Sequence, residues 1–136
     1  MRVAIRYYTQ TGNTKKLAEA IAAELGMEAK SIESPLEEDV DVLFLCNSVY
    51  WAGVDGKVKK FLKNPGAKVG QLVNVSTAAL IESTYGQMKK LAADAGIPLS
   101  EREFHCKGSF KALHKGKPDD TDIAAVKRFA REIVEG

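Results

Sequence analysis

The chain has 136 residues, with 20 Lys and Arg against 18 Asp and Glu, a formal net charge of +2 and a 45% hydrophobic share. That length suits one domain over residues 1–136 that buries roughly two-thirds of its unfolded surface, so a core forms without disulfides or a structural metal. Disorder is excluded by this composition, membrane spanning by the lack of any apolar run near roughly 20 residues, and a nucleic-acid role by a small charge with interspersed acids.

Strand and helix signals alternate from end to end. Arg2 to Tyr8 is rich in β-branched and aromatic residues, as a buried strand is. Leu17, Ala18, Ile21, Ala22 and Leu25 then recur at helical spacing from about Thr14, with Gly26 placed to stop the helix. Met27 to Ile32 reads as a short second strand. An acidic connection with Glu33, Glu37, Glu38 and Asp39 leads into Val40 to Cys46, the most hydrophobic strand and therefore the expected centre of the sheet. After a loop from Asn47 to Asp55, Val58, Phe61 and Leu62 mark one face of a helix whose other face carries Lys57, Lys59, Lys60 and Lys63. Lys68 to Ser76 is a fourth strand. Thr84 with Gln87 has capping-box spacing and opens a helix burying Met88, Leu91, Ala92 and Ala95. Glu101 to Cys106 is a polar, edge-like fifth strand, and Asp120 or Thr121 caps a last helix with Ile123, Val126, Phe129 and Ile133 inward.

This alternation predicts an α/β domain, a mostly parallel sheet with helices on both faces. In such domains the ligand lies beyond the carboxyl ends of the strands, where strand order reverses. Thr9-Gln10-Thr11-Gly12-Asn13-Thr14 occupies that position, directly after the first strand and before the first helix. Hydroxyl and amide side chains on short stems, a glycine that lets the backbone approach, and the helix amides together hold an anion without Arg or Lys. Thr and Asn also cap helices, but capping takes one or two such residues. No Gly-x-Gly-x-x-Gly follows a strand and no Gly-x-x-x-x-Gly-Lys-Ser/Thr occurs, which weighs against NAD and ATP loops.

Tyr8-Thr9-Gln10-Thr11-Gly12-Asn13-Thr14 resembles the phosphate-binding loop of the flavodoxin family, at the first strand-to-helix turn where that family has it. The resemblance is close from Met1 to Leu62 and beyond that lies in length and element order. It implies a flavodoxin-like three-layer αβα sandwich with a five-stranded parallel sheet of order 2-1-3-4-5, and a flavin mononucleotide (FMN) cofactor. A phosphoacceptor receiver domain shares this topology, but its family carries an acidic cluster near the end of the first strand, where Arg6, Tyr7 and Tyr8 stand here. Asn47-Ser48-Val49-Tyr50-Trp51-Ala52-Gly53 would then flank the ring. Tyr50 or Trp51 would supply a stacking surface, and the backbone of Val49 to Gly53 would meet the ring's polar edge. Ser48 is included with this wall. Ser76, Thr77 and Ala78, with Ala79, would form the third wall, without the tyrosine many flavodoxins place there.

The implied function is electron transfer between redox partner proteins by bound FMN, with no catalytic side chain and a monomeric state. The alternatives are a small FMN-dependent NAD(P)H:quinone-type oxidoreductase and a non-redox regulator of the same fold. Met1 leads into a strand without a secretory signal, so a cytoplasmic location and reduced cysteines are expected. Cys46 reads as a core residue, a bond to Cys106 is not expected across an intervening strand, and no metal site is expected. Family members are strongly acidic around the flavin, whereas here Asp55 and Glu82 are the expected nearby acids and Lys57, Lys59 and Lys60 follow closely. Fewer like charges then oppose the reduced anion, and the second reduction potential is expected to be less negative.

Overall fold

In the computed structural model of the chain, described for residues 1–9, 12–49, 56–78, 84–107 and 116–136, strands and helices alternate as the hydrophobic pattern predicts. The strands are β1 (Val3–Tyr7), β2 (Lys30–Ser31), β3 (Val40–Val49), β4 (Val69–Ala78) and β5 (Phe104–Lys107). The helices are α1 (Asn13–Leu25), α2 (Gly56–Lys63), α3 (Tyr85–Ala95) and α4 (Asp120–Glu135). All pairings are parallel, in the spatial order β2-β1-β3-β4-β5 that the resemblance implies.

Side chains alternate across the strands and give the sheet two apolar faces. Ile5, Phe44, Cys46 and Val75 pack under α1 and α4, while Ala4, Leu43, Leu45 and Leu72 pack under α2 and α3. Leu43 to Cys46 is fully buried, so β3 is the centre of the core as expected.

The starts of β2, β5 and α4 differ from the sequence-based expectation. β2 pairs only through Lys30 and Ser31, because Met27 and Ala29 pack on the α1 side of the core without joining the ladder. β5 begins at Phe104; the chain before it bonds to β4 only at Leu72, whose amide donates to Pro98 and whose carbonyl accepts from Ser100. The cap of α4 is Asp119, with its carboxylate accepting the Asp122 amide and the Asp122 carboxylate accepting the Asp119 amide, each at 3.0 Å.

Residues 32–39, which carry the chain from β2 across β1 to β3, contain no helix. Eight extended residues reach roughly 26 Å, enough for this diagonal crossing. The strap is fixed from below by Arg6, a β1 residue that is 6% exposed. Its Nε donates to the Ser34 carbonyl at 2.7 Å and its Nη2 to the Pro35 carbonyl at 3.2 Å, while Nη1 turns back to Ile5. Leu36 adds a buried apolar anchor, and its amide donates to Pro65 at 2.8 Å. Gly66 lies so close that an added Cβ would stand 2.6 Å from the Leu36 carbonyl oxygen, at a φ of +102°.

Arg6→Met replaces the guanidinium by an apolar chain and leaves two strap carbonyls without their donors. It is expected to destabilise the fold by about 1–3 kcal/mol in urea unfolding; unchanged or greater stability would show that the strap does not depend on Arg6. At α4, the Lys117 ammonium at 2.8 Å and then the Asp122 amide hold the Asp119 carboxyl at about 2, below its ordinary 3.8. A depressed folded-state pKa contributes stability above the unfolded value that disappears as pH falls toward the folded one. Asp119→Asn is therefore expected to flatten the stability profile between about pH 4 and pH 2, measured by thermal unfolding. An unaltered profile would contradict this assignment.

Candidate functional site at the carboxyl edge of the sheet

β3 and β4 run further toward the carboxyl edge than their hydrophobic residues suggest. Ser48 and Val49, expected in a loop, pair with Thr77 and Ala78, and Asn47 pairs with Ser76. Ser76, Thr77 and Ala78 also pair with β5 opposite His105, Cys106 and Lys107. These expected loop residues are therefore strand residues. The physical reason is burial: Asn47, Ser48, Asn74, Ser76 and Thr77 are each at most 5% exposed, so their polarity marks the end of the apolar layer, not of the ladder.

Alternation divides this polar layer. Ser48 and Thr77 continue the Cys46 and Val75 rows, on the face covered by α1 and α4. Asn47, Asn74 and Ser76 continue the Leu45 and Leu72 rows, on the face covered by α2 and α3.

On the first face, the turn from β1 to α1 is built by its own hydroxyls. The Tyr8 amide donates to Cys46 at 2.9 Å, keeping the chain on the ladder one residue beyond β1. The Thr14 hydroxyl donates to the Tyr8 carbonyl at 2.8 Å, and Thr9 Oγ1 accepts the Gly12 amide at 2.8 Å. Gly12 takes φ +90°, and a Cβ built on it would meet no atom of the described residues within 4 Å. Among the described residues no side chain caps α1 at this residue, and its first turn carries no acid. Helix amides here have no intrahelical acceptor, and the dipole favours an anion. Asn13 and Thr14 are buried at the helix start; Gln10 and Thr11 lie outside the described residues.

Ser48 Oγ is the one buried side-chain oxygen or nitrogen without a hydrogen-bond partner among the described residues. Such atoms are rare because burial without a partner costs about 1–3 kcal/mol. Its place on the α1 face makes it a ready contact for a polar ligand seated at the helix start. These features fit a phosphate joined to a hydroxyl-bearing chain. The expected ring-flanking residues Tyr50, Trp51, Ala52 and Gly53, with Asp55, Ala79 and Glu82, lie outside the described residues.

On the second face, sequence reasoning missed a cluster. Thr84 is the N-cap residue of α3, but its side chain makes no cap bond, in contrast to the expected capping box. Its hydroxyl instead donates to Asn47 Oδ1 at 2.7 Å and accepts from Asn74 Nδ2 at 3.1 Å. Asn47 Nδ2 donates to Asn74 Oδ1 at 2.7 Å. Asparagines interrupting the apolar runs before Ser48 and between Val73 and Val75 were the available signal. Tyr85 packs locally, its hydroxyl donating to Ser100 at 2.9 Å.

A cavity of about 800 Å³ opens beside the strap, bordered by Tyr8, Thr9, Ile32, Pro35, Lys57 and Phe61. Among the described residues it touches the predicted phosphate loop at Tyr8 and Thr9. Both cysteines are free thiols. Burial pushes the Cys46 thiol well above its ordinary range, and burial followed by the Asp122 charge pushes Cys106 up to about 12, so neither is a thiolate nucleophile near neutral pH. No helix among the described residues is long and apolar enough to cross a membrane.

No protein-family model and no curated protein sequence matches the chain. Solved structures do. A flavodoxin from the domain Archaea superposes with a TM-score of 0.73 at 18% identity, over 99% of this chain and 97% of that one. Flavodoxin 1 from Bacillus cereus gives 0.72 at 14%, over 99% and 98%. Rubredoxin oxygen:oxidoreductase from Desulfovibrio gigas gives 0.74 at 13%, with this chain spanning 98% of itself but 35% of that larger protein. Together with the observed strand order, these likenesses show that the chain has the flavodoxin-like fold.

Proposed function

We propose that this chain binds FMN at the carboxyl edge of its sheet and carries electrons between redox partner proteins. The observation that carries this reading is the juxtaposition, among the described residues, of a helix start that no side chain caps at Gly12 and the buried hydroxyl of Ser48 without a partner, both on one sheet face. Named flavodoxins of almost the same length share the fold and support it.

The α1 amides with Thr9, Gly12, Asn13 and Thr14 would hold the phosphate, its charge met by the helix dipole. The bond of Thr14 to Tyr8 fixes the turn geometry in this scheme. Ser48 would donate its hydroxyl proton to the cofactor, and Thr77 beside it narrows the same face. Tyr50 and Trp51 are the proposed stacking residues. The bound flavin supplies one-electron redox chemistry, which needs no side chain as acid or base.

The α2 segment after residue 55 presents Lys57, Lys59, Lys60 and Lys63 and no acid. Such surroundings oppose added negative charge less than carboxylates do, so the second reduction potential should be less negative than in acidic flavodoxins. A spectroelectrochemical titration giving an equally negative value would refute this. The alternative is an FMN-dependent NAD(P)H:quinone-type oxidoreductase, left open by the oxidoreductase among the structural neighbours. Anaerobic addition of NADPH separates the two readings: flavin bands that persist support the carrier, and rapid bleaching supports the reductase.

Ser48→Ala tests the site itself. Removing an unpartnered buried hydroxyl is expected to leave the apoprotein as stable or about 1 kcal/mol more so, and to weaken FMN binding about tenfold. Calorimetric titration that finds unchanged FMN affinity would remove Ser48 from the site.

A further inference from the structure

The three side chains that meet under the α3 start form a closed ring of hydrogen bonds. Thr84 donates to Asn47 at 2.7 Å, Asn47 donates to Asn74 at 2.7 Å, and Asn74 donates back to Thr84 at 3.1 Å. Each member gives one proton and receives one in the same rotational sense, an arrangement in which the bonds polarise one another. All three residues are fully buried. The second amide proton of Asn47 is taken by backbone carbonyls, Leu45 at 3.1 Å and Val75 at 3.3 Å. The Thr84 amide adds a contact to Ser76 Oγ at 3.4 Å.

The ring joins β3, β4 and the residue that starts α3. An apolar set of side chains would fill this volume without fixing rotation or height, whereas a three-membered ring admits one placement of Thr84. The ring thereby fixes Thr84 to the strand edge near the end of β4 at Ala78. Thr84 also gives its carbonyl to the Met88 amide at 2.9 Å, so the same residue sets the origin of α3. Its hydroxyl is diverted from helix capping to the ring, which is a cost to α3 that the tertiary bonds offset.

We infer that Asn47, Asn74 and Thr84 are positioning residues: their ring ties the carboxyl ends of β3 and β4 to the first residue of α3, and so holds Ser48 and Ser76 to Ala78 in place at the edge of the cofactor site. This rests on the reading of the carboxyl edge as an FMN site. None of the three needs to touch the cofactor. Their effect passes through Thr84 to Ser76, whose Oγ lies 3.4 Å from the Thr84 amide, and through the Asn47 backbone to its neighbour Ser48.

The test separates positioning from mere stability. Thr84→Val removes the hydroxyl and leaves Asn47 and Asn74 with unmet bonds, whereas Thr84→Ser retains the ring. The triple variant N47L/N74L/T84V replaces every member by an apolar group, an exchange that can be nearly neutral for folding. For each, calorimetry gives the FMN affinity, thermal unfolding of the apoprotein gives stability, and hydrogen exchange follows the amides of residues 76–78 and 84. Thr84→Ser is expected to match the wild type. The triple variant is expected to unfold at or above the wild-type temperature, yet to bind FMN at least tenfold more weakly and exchange faster over residues 76–78 and 84. Thr84→Val should show the same loss and, if it fails to fold, the triple variant still decides. A stable triple variant with wild-type affinity and exchange would overturn the inference while leaving the FMN reading intact. If the wild type takes up no FMN, the site reading fails and this inference fails with it.

Discussion

A polar group taken out of water must find a partner, and at the carboxyl edge of this sheet that requirement shapes everything else. Asn47, Ser48, Asn74, Ser76 and Thr77 replace the apolar residues that fill the middle of β3 and β4, yet they are just as buried. On the α2 and α3 face the demand is met internally by the ring of Asn47, Asn74 and Thr84. On the α1 face it is left partly unmet at Ser48. An apolar residue there would fold at least as well, so the hydroxyl makes sense as a contact to something that the chain itself does not contain.

The same principle governs the two turns that frame the edge. Thr9 and Thr14 bond to the backbone of the β1 to α1 turn, which holds Gly12 in its left-handed conformation and leaves α1 without a side-chain cap. Arg6 acts at the opposite corner, where residues 32–39 cross β1 without a helix and their carbonyls need donors from the sheet below. One turn therefore presents donors outward and the other absorbs its own acceptors. That asymmetry, together with parallel pairing, is the ground on which the α1 start is proposed as the anion-accepting point of the fold.

Much of this was legible in the sequence, and the reasons for the rest are local. Helical spacing of Leu17 and Ile21, and the apolar run from Val40, gave α1 and the central strand because burial there is purely apolar. The Thr9 to Thr14 turn was legible because its residues serve the same local geometry wherever it occurs. The ends of β3 and β4 were not, since Asn47 and Ser48 read as loop residues until their partners on β4 are known, and β4 runs two residues beyond Ser76. Thr84 carried a capping signature, but its hydroxyl is claimed by two asparagines, 37 and 10 residues earlier in the chain. Arg6 likewise read as an ordinary strand residue; its burial depends on carbonyls 28 and 29 residues away. In each case the missing information was a long-range polar partner, which composition and periodicity do not encode.

The central claim is that the uncapped start of α1 anchors the phosphate of a flavin nucleotide. Parallel calorimetric titrations of the apoprotein with FMN and with riboflavin test it most directly, since the two differ only in that phosphate. The account predicts that FMN binds at least about 100-fold more tightly, the equivalent of about 2.7 kcal/mol. Equal affinities, or no binding of either, would contradict it.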